Sequence, residues 1–198
     1  MQPTIQPAVV GATGYAGFEL ARLLLRHPRS KKPVLFAREG DSESARLDEL
    51  YPHISGNGGC PMEPFSWAAL AAKGVNVLFL ATPHEVSRDW TPEAMRRGLH
   101  VIDLSGAWRL ACATSRAVYD FHDQDPELAD RLTAQAVYGI PELYRARLKE
   151  AVLVANAGCY ATSIILALSP LVRAGLVDVA HGEHITARHY LPHATQCL

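Results

Sequence analysis

The stretch that decides the fold lies near the start of the chain and reads Gly11-Ala12-Thr13-Gly14-Tyr15-Ala16-Gly17. It follows the apolar run Ile5 to Val10, which we expect to form a strand although Pro7 lacks a backbone donor. After it, Ala16 to His27 carries apolar residues at helical spacing until Pro28. A glycine-rich turn between strand and helix lets a pyrophosphate approach the backbone and meet the free N–H groups of the helix start. The stretch therefore predicts dinucleotide binding, the alternative being a tight turn with no ligand.

The residues after the second predicted strand, Val34 to Ala37, bear on which dinucleotide is bound. An NAD-preferring site has an acidic residue here, which holds the ribose 2′-hydroxyl. This chain has Arg38, whose guanidinium suits a 2′-phosphate, and Ser42 and Ser44 add hydroxyl donors nearby. Glu39 favours NAD instead if its side chain turns inward. The pattern predicts NADP(H), with a solvated Arg38 as the alternative.

Further along the chain, short apolar runs alternate with segments of helical spacing. We expect strands at Val75 to Ala81, His100 to Leu104 and Val152 to Ala155, and helices at Glu85 to Arg97 and Tyr160 to Ala174. The alternation predicts an α/β fold with a doubly wound, mostly parallel Rossmann-type sheet. We expect a dinucleotide-binding domain over residues 1–155, the start of a catalytic domain over 156–182, and a divergent, poorly ordered tail over 183–198.

Composition and charge narrow the class of protein. The chain has 198 residues, of which 48% are hydrophobic and 20% charged, and its formal net charge is −1. These values exclude general disorder, and they give no overall attraction to nucleic acid or acidic lipid. No apolar run reaches the roughly 20 residues of a membrane helix, and few residues precede the glycine stretch. We therefore expect a soluble, cytoplasmic protein.

The four cysteines do not form a metal or redox motif. They are Cys60, Cys112, Cys159 and Cys197, and no two have C-x-x-C spacing, so we predict no metal site. Cys159 differs from the others because it lies between a predicted strand and a helix. Unpaired N–H groups and the positive end of the helix dipole stabilise a thiolate there, and with Asn156 they can hold an oxyanion. Cys159 is thus a candidate nucleophile, the alternative being a buried structural thiol. The other three are interpreted as incidental, Cys60 and Cys112 in polar loops.

Five motifs in order carry a resemblance to a known family. They are Gly11 to Gly17 followed by Glu19-Leu20, Leu80 to Glu85 (LATPHE), Asp103 to Arg109 (DLSGAWR), Tyr138 to Glu142 (YGIPE) and Gly158 to Thr162 (GCYAT). Together the motifs resemble the N-acetyl-gamma-glutamyl-phosphate reductase family, the arginine-biosynthesis branch of the semialdehyde dehydrogenases. The resemblance covers roughly residues 5 to 180.

The resemblance implies a reaction and a set of site residues. The nucleophile of the family falls on Cys159, whose thiolate displaces phosphate from N-acetyl-glutamyl phosphate before NADPH reduces the thioester to a semialdehyde. The loop with Ser105 and Arg109 resembles the part that meets the nicotinamide and the substrate, and Arg109 has the chemistry of a phosphate clamp. The family also implies a homo-oligomer, with no nucleic acid or membrane partner.

The chain departs from the family pattern near its end. The family continues with a Ser/Gly-rich segment and a domain that carries a histidine acid/base, and neither follows Gly182 here. We expect a truncated chain with weak reductase turnover, because general acid catalysis contributes about 10²–10⁴-fold. The tail histidines, His181, His184, His189 and His193, are interpreted as solvated rather than as a replacement acid or a metal site.

Two other classes stay open. A non-catalytic dinucleotide sensor of the short-chain dehydrogenase type also begins G-A-T-G-x-x-G, but the Y-x-x-x-K pair of its catalytic members is absent, since Tyr144 and Lys149 are five apart. An aspartate- or aminoadipate-type semialdehyde dehydrogenase would share the fold and mechanism with a different acyl group.

Overall fold

A single sheet of seven parallel strands organises the computed structural model, which describes residues 5–37, 46–54, 59–111 and 116–177. The strands are β1 Pro7–Val10, β2 Val34–Phe36, β3 Met62–Glu63, β4 Val77–Leu80, β5 His100–Asp103, β6 Val137–Gly139 and β7 Leu153–Asn156. They lie in the order β3-β2-β1-β4-β5-β7-β6, and every pairing is parallel. The predicted Rossmann-type α/β fold is confirmed.

The sheet changes winding direction at β1. The chain moves from β1 outward to β2 and β3, then returns past β1 to β4 and continues to β5. In open α/β sheets, ligands bind outside the carboxyl ends of the strands at such a switch point. Here that point is the crevice beyond Val10 of β1 and Leu80 of β4.

The α-helices with bounds inside the described residues lie between or beside the strands. They are α1 Tyr15–Arg26, α2 Leu47–Leu50, α3 Trp67–Ala72, α4 His84–Arg96, α5 Pro126–Gln135, α6 Pro141–Leu148 and α7 Cys159–Arg173, with a 3₁₀ turn at Pro52–Ile54. The predicted helices correspond to α1, α4 and α7, each within one residue at either end. None of the helices in the described ranges is long and apolar enough to cross a bilayer.

Alternating side chains of the strands build a core on each face of the sheet. On β1, Ala8 and Val10 point to one face and Val9 to the other, and all three are buried. The first face packs against α3, α4 and α5. The second face packs against α1, through Phe18 and Ala21. It also packs against residues 47–54, which run from α2 to the 3₁₀ turn and are called the α2 segment. Near-continuous apolar strands are what a sheet covered on both faces requires.

Among the elements that the sequence patterns did not predict are β3, α3, α5, β6 and α6. Strand β3 has two residues and α3 has six, which is too short for a periodic pattern. For α5 a local signal was present, because Asp125 caps the helix by accepting from Leu128 N at 2.9 Å, and Pro126 occupies the first helical position. The described residues between Ser105 and Leu143 therefore include α5 and β6, which the sequence patterns did not predict.

Candidate active site

The glycine loop joins β1 to α1 at the switch point. Gly11 has a φ of +78°, and a Cβ added there would lie 2.4 Å from the carbonyl oxygen of Ala81. A Cβ added at Gly17 would lie 2.1 Å from the carbonyl oxygen of Gly11. Only glycine fits at either position, since real Cβ contacts are much longer. The loop is thereby drawn tightly against β4 and the first turn of α1.

The start of α1 is arranged to receive an anion. Gly14 caps the helix without a side-chain hydrogen bond, and the first turn contains no acidic residue. The first hydrogen bond of the helix joins Phe18 N to Gly14 O at 2.8 Å. The N–H groups of Tyr15, Ala16 and Gly17 therefore have no acceptor within the helix. Gly14, Tyr15 and Ala16 are exposed. The residues present fit the pyrophosphate of a dinucleotide.

The loop after β5 is built around a buried carboxylate. Asp103 is fully buried and accepts from the backbone N–H and the hydroxyl of Ser105, at 3.1 and 2.8 Å. Burial raises the pKa of Asp103, against the opposing effect of hydrogen bonds from Ser87 and Ser105 and of the charge of Arg109. The Ser105 hydroxyl also accepts from Ala107 N at 3.1 Å. Ser105, predicted to contact the cofactor, thus uses its hydroxyl to shape its own loop.

Arg109 ties this loop to the segment that carries the candidate nucleophile. Its Nε donates to the carbonyl oxygen of Asn156 and its Nη2 to that of Leu104, each at 2.7 Å. A Cβ added at Gly158 would lie 2.9 Å from Nη1 of Arg109, so the guanidinium sits directly beside the start of α7. The side chain is half-buried rather than a solvated surface arginine.

Cys159 is the first residue of α7 and lies immediately beyond β7. Its side chain is exposed, and Gly158 caps the helix without a side-chain hydrogen bond. The side-chain amide of Asn156 donates to Ala157 O at 3.3 Å. The predicted position of the thiol in the first turn of a helix is confirmed, and burial among aliphatic side chains is excluded.

The glycine loop and Cys159 share one edge of the sheet. Because all strands are parallel, their carboxyl ends face the same side, and β1 and β7 are separated by β4 and β5. Three strand spacings amount to roughly 14 Å. The loop between Ser105 and Arg109 follows β5 and therefore lies between the two. An extended dinucleotide bound at α1 would run along this edge toward Cys159.

Sequence reasoning missed the group that holds the loop after β5. Arg88, on α4, is 4% exposed, and its Nε and Nη2 both donate to Asp123 at 2.6 Å. Its Nη1 donates to the carbonyl oxygen of Ala107, also at 2.6 Å. The guanidinium carbon lies 4.7 Å from the ring centre of Trp108 and 4.6 Å from that of Phe121. No local sequence pattern marks a contact that joins a helix to a loop 35 residues away.

Some residues singled out in the sequence lie outside the described part of the chain, and one cysteine lies in a different environment from the predicted one. Arg38, Ser42, Ser44, Cys112, Cys197 and the four tail histidines lie outside the described residues. Cys60 does not lie in a polar loop as expected. It is buried in the core against the α2 segment, because the chain turns inward to begin β3, and burial raises the pKa of its thiol.

Two curated proteins that are similar to this chain carry the same name. The chain is 42% identical over 181 residues to N-acetyl-gamma-glutamyl-phosphate reductase of Escherichia coli (strain K12), an alignment that covers 90% of this chain and 53% of that protein. It is 38% identical over 174 residues to the reductase of the same name from Shouchella clausii (strain KSM-K16), which covers 88% and 49% respectively. The predicted resemblance is confirmed. The chain spans about half the length of the curated relatives it matches.

Solved structures show the same fold. Aspartate semialdehyde dehydrogenase II of Vibrio cholerae, solved as a complex with ASA, has a TM-score of 0.59 and 20% identity, over 87% of this chain and 47% of that one. The aspartate semialdehyde dehydrogenase of Candida albicans, solved with NADP, has a TM-score of 0.56 and 15% identity, over 87% and 48%. The family model described as semialdehyde dehydrogenase, NAD binding domain, matches residues 6–151. With this match over most of its length, the chain belongs to the semialdehyde dehydrogenase family.

Proposed function

We propose that the chain is the cofactor-binding and nucleophile-bearing part of an NADP-dependent reductase that converts N-acetyl-glutamyl 5-phosphate to the semialdehyde. The single observation that carries the proposal is an exposed thiol at a helix start, on the same sheet edge as the tight glycine loop that begins α1. The acyl group is proposed from the names of the relatives at 38–42% identity.

The cofactor proposal rests on the first turn of α1 and on Arg38. The N–H groups of Tyr15 and Ala16, in the exposed first turn, would hold the pyrophosphate, and the guanidinium of Arg38 would pair with a 2′-phosphate. When bound, the reduced nicotinamide supplies a hydride to an acyl carbon held on the enzyme. Ser42 and Ser44 would add donors to the 2′-phosphate.

Cys159 would act as a nucleophile. Its thiolate would attack the acyl carbon of the substrate, forming a C–S bond and breaking the C–O bond to phosphate, which leaves as inorganic phosphate. Hydride addition to the thioester carbon and protonation of its oxygen would give a thiohemiacetal. Loss of the hydroxyl proton to solvent, as the C–S bond breaks, would release the aldehyde and regenerate the thiolate. The helix-start N–H groups beside Cys159 would stabilise the developing oxyanion.

Arg109 would supply positive charge to the leaving phosphate. Two of its five N–H donors are used on the carbonyl oxygens of Leu104 and Asn156, which fix the direction of the guanidinium. Its Nη1 is held beside Gly158, one residue before Cys159. A rigid guanidinium next to the nucleophile suits an acyl phosphate better than a neutral ester or amide.

The first test follows covalent chemistry at Cys159. We expect N-acetyl-glutamyl phosphate, added without a nicotinamide, to acylate the chain once and release one equivalent of phosphate. Intact-mass analysis with peptide mapping should place the acyl group on Cys159. Cys159→Ser should lose the adduct, whereas Cys60→Ala, which removes the buried thiol, should retain it.

A second measurement uses substrate choice as the contrast. Aspartyl phosphate at the same concentration should acylate at least tenfold more slowly, since its shorter acyl chain lacks the acetamido group. An adduct that maps to another residue, or that persists in Cys159→Ser, would refute the nucleophile assignment. Faster acylation by aspartyl phosphate would refute the proposed acyl group but not the proposed chemistry.

A further inference from the structure

We propose that Tyr51 is a positioning residue for the cofactor, one that fixes the glycine loop in its pyrophosphate-binding conformation through its phenolic hydroxyl. The proposal rests on the proposed function, because it concerns the binding of a nicotinamide dinucleotide at the start of α1. Tyr51 lies 38 residues after Thr13 in the chain, between α2 and the 3₁₀ turn. It is absent from the site residues predicted from the sequence.

The contact is a hydrogen bond to the middle of the loop. The hydroxyl of Tyr51 donates to the carbonyl oxygen of Thr13 at 2.9 Å. That carbonyl belongs to the same peptide unit as the N–H of Gly14, which donates to Gly11 O at 3.1 Å. The peptide plane before the helix is therefore held at both ends. Because the unit is rigid, its orientation sets the direction from which α1 begins.

The ring of Tyr51 is itself fixed by the core. It stacks on Phe18 of α1, with ring centres 3.8 Å apart and an angle of 18° between the planes. Phe18 is buried on the face of the sheet that α1 covers. The stack therefore joins the α2 segment to the helix whose first turn would hold the pyrophosphate. Removing the hydroxyl alone would leave this stacking in place.

The segment that carries Tyr51 is anchored on both sides. Leu47 and Ile54 are both buried in the same core cluster as Phe18. The N–H of Leu47 donates to Cys60 O at 2.8 Å, and the N–H of Cys60 donates to a carboxylate oxygen of Asp48 at 2.8 Å. The hydroxyl of Tyr51 is thus presented from a fixed platform rather than from a freely moving loop.

This geometry gives the hydroxyl a specific effect on ligand binding. Without it, the peptide between Thr13 and Gly14 can rotate, and rotation would turn its carbonyl oxygen toward the anion site. An oxygen there would repel the pyrophosphate, so part of the binding free energy would be used to restore the peptide. The effect acts on the pyrophosphate and not on the adenosine end of the ligand.

The test is a titration of the chain with NADPH, followed by nicotinamide fluorescence. Tyr51→Phe keeps the stacked ring and should raise the Kd roughly threefold to tenfold, the range expected for one neutral hydrogen bond. Tyr144→Phe is the matched control, because it removes the same hydroxyl from a half-buried tyrosine far from the glycine loop. Tyr144 lies on α6, which follows β6, and β6 is four positions from β1 in the sheet. It should leave the Kd unchanged. Urea unfolding of each variant shows whether the fold is retained.

Displacement of NADPH by two fragments separates positioning from general loosening of the fold. ADP-ribose 2′-phosphate contains the pyrophosphate, whereas adenosine 2′-monophosphate does not. We expect Tyr51→Phe to weaken only the former. Equal weakening of both fragments, or a Kd for NADPH equal to that of the unsubstituted chain, would overturn the inference while leaving the proposed function intact. If the unsubstituted chain bound neither NADPH nor NADH, the proposed function would fail and this inference with it.

Discussion

Glycines of the same loop differ in what a side chain would meet. A Cβ at Gly17 would lie 2.1 Å from the carbonyl oxygen of Gly11, which is backbone and has no room to move. A Cβ at Gly14 would have only an ordinary contact of 3.5 Å with that same oxygen, and it would project into solvent at the start of α1. Packing therefore requires glycine at position 17 but not at position 14, where the proposed pyrophosphate would approach the backbone.

Two alanine substitutions separate these roles. Gly17→Ala should lower the free energy of unfolding by about 3 kcal/mol or more, because the backbone must shift to relieve the contact. Gly14→Ala should lower it by only about 1 kcal/mol, because glycine is a better N-cap than alanine. Gly14→Ala should nevertheless weaken NADPH binding roughly tenfold or more, since a methyl group would occupy the approach of the pyrophosphate. Urea unfolding and NADPH titration measure the two effects.

Gly106→Ala provides a control for the stability measurement, since a Cβ there meets nothing within 4 Å. If Gly14→Ala destabilised the fold as much as Gly17→Ala, the first turn would be more tightly packed than the structure shows. If Gly14→Ala bound NADPH normally, the pyrophosphate would not lie at the start of α1.

At the scale of elements, α4 and the loop after β5 are held together by one buried guanidinium. The side chain of Arg88 is 2% exposed and that of Asp123 is 19% exposed, and the two form a bidentate pair. The third partner, the carbonyl oxygen of Ala107, lies between Ser105 and Arg109 in the chain. Through it, α4 sets the position of a loop that in turn hydrogen-bonds to Asn156, beside the candidate nucleophile.

Removing this guanidinium should be costly. Arg88→Met should lower the free energy of unfolding by about 3 kcal/mol, because it leaves a half-buried carboxylate and a carbonyl oxygen without their partner. The double variant Arg88→Met with Asp123→Leu should recover part of the loss, since no unpaired charge remains. Urea unfolding of both single variants and the double variant completes the cycle.

Arg22→Met is the matched control for this cycle, because it breaks an exposed ion pair with Glu19 on α1. It should change stability by less than about 1 kcal/mol. A loss at Arg88 no larger than that at Arg22 would show that the loop after β5 is held by other contacts.

At the scale of the whole molecule, the helices differ in how much of their surface is buried. The core that α1 forms with the sheet reaches only as far as β1 and β4. By contrast, none of the residues of α7, which follows β7, is buried. Large apolar side chains near the end of α7 are exposed: Leu171, Val172, Leu176 and Val177. An apolar cluster of this kind on a surface promotes association between molecules.

Polar substitution of this cluster should reduce association without loss of stability. Val172→Lys combined with Leu176→Lys should lower the weight-average mass seen in sedimentation or light scattering at high concentration. Because Leu176 is 74% exposed and Val172 42% exposed, the free energy of unfolding should stay within about 1 kcal/mol of that of the unsubstituted chain. Leu153→Lys, at a fully buried site in β7, should instead prevent folding. Equal destabilisation by the two changes would show that the α7 cluster is packed rather than exposed.

Local patterns were sufficient for the parts of the fold and site that depend on neighbours in the chain. The glycine spacing of Gly11 to Gly17 dictates a strand, a tight turn and a helix start, because only glycine fits the backbone contacts that this turn creates. The position of Cys159 at a helix start follows in the same way from an apolar strand, a glycine and an apolar helix. Alternation of strands and helices was sufficient for a parallel sheet, since parallel strands need crossover connections.

The contacts between residues far apart in the sequence were decided only by the tertiary structure. Tyr51 reaches Thr13 across 38 residues, Arg88 reaches Asp123 across 35, and Arg109 reaches the carbonyl oxygen of Asn156 across 47. The insertion of β7 between β5 and β6 brings the last of these pairs together, and no periodicity encodes it. Helix and strand periods record only which side of an element is buried. The partner that a hydroxyl or guanidinium meets depends on which elements the topology makes adjacent, and that is fixed only when the whole sheet has formed.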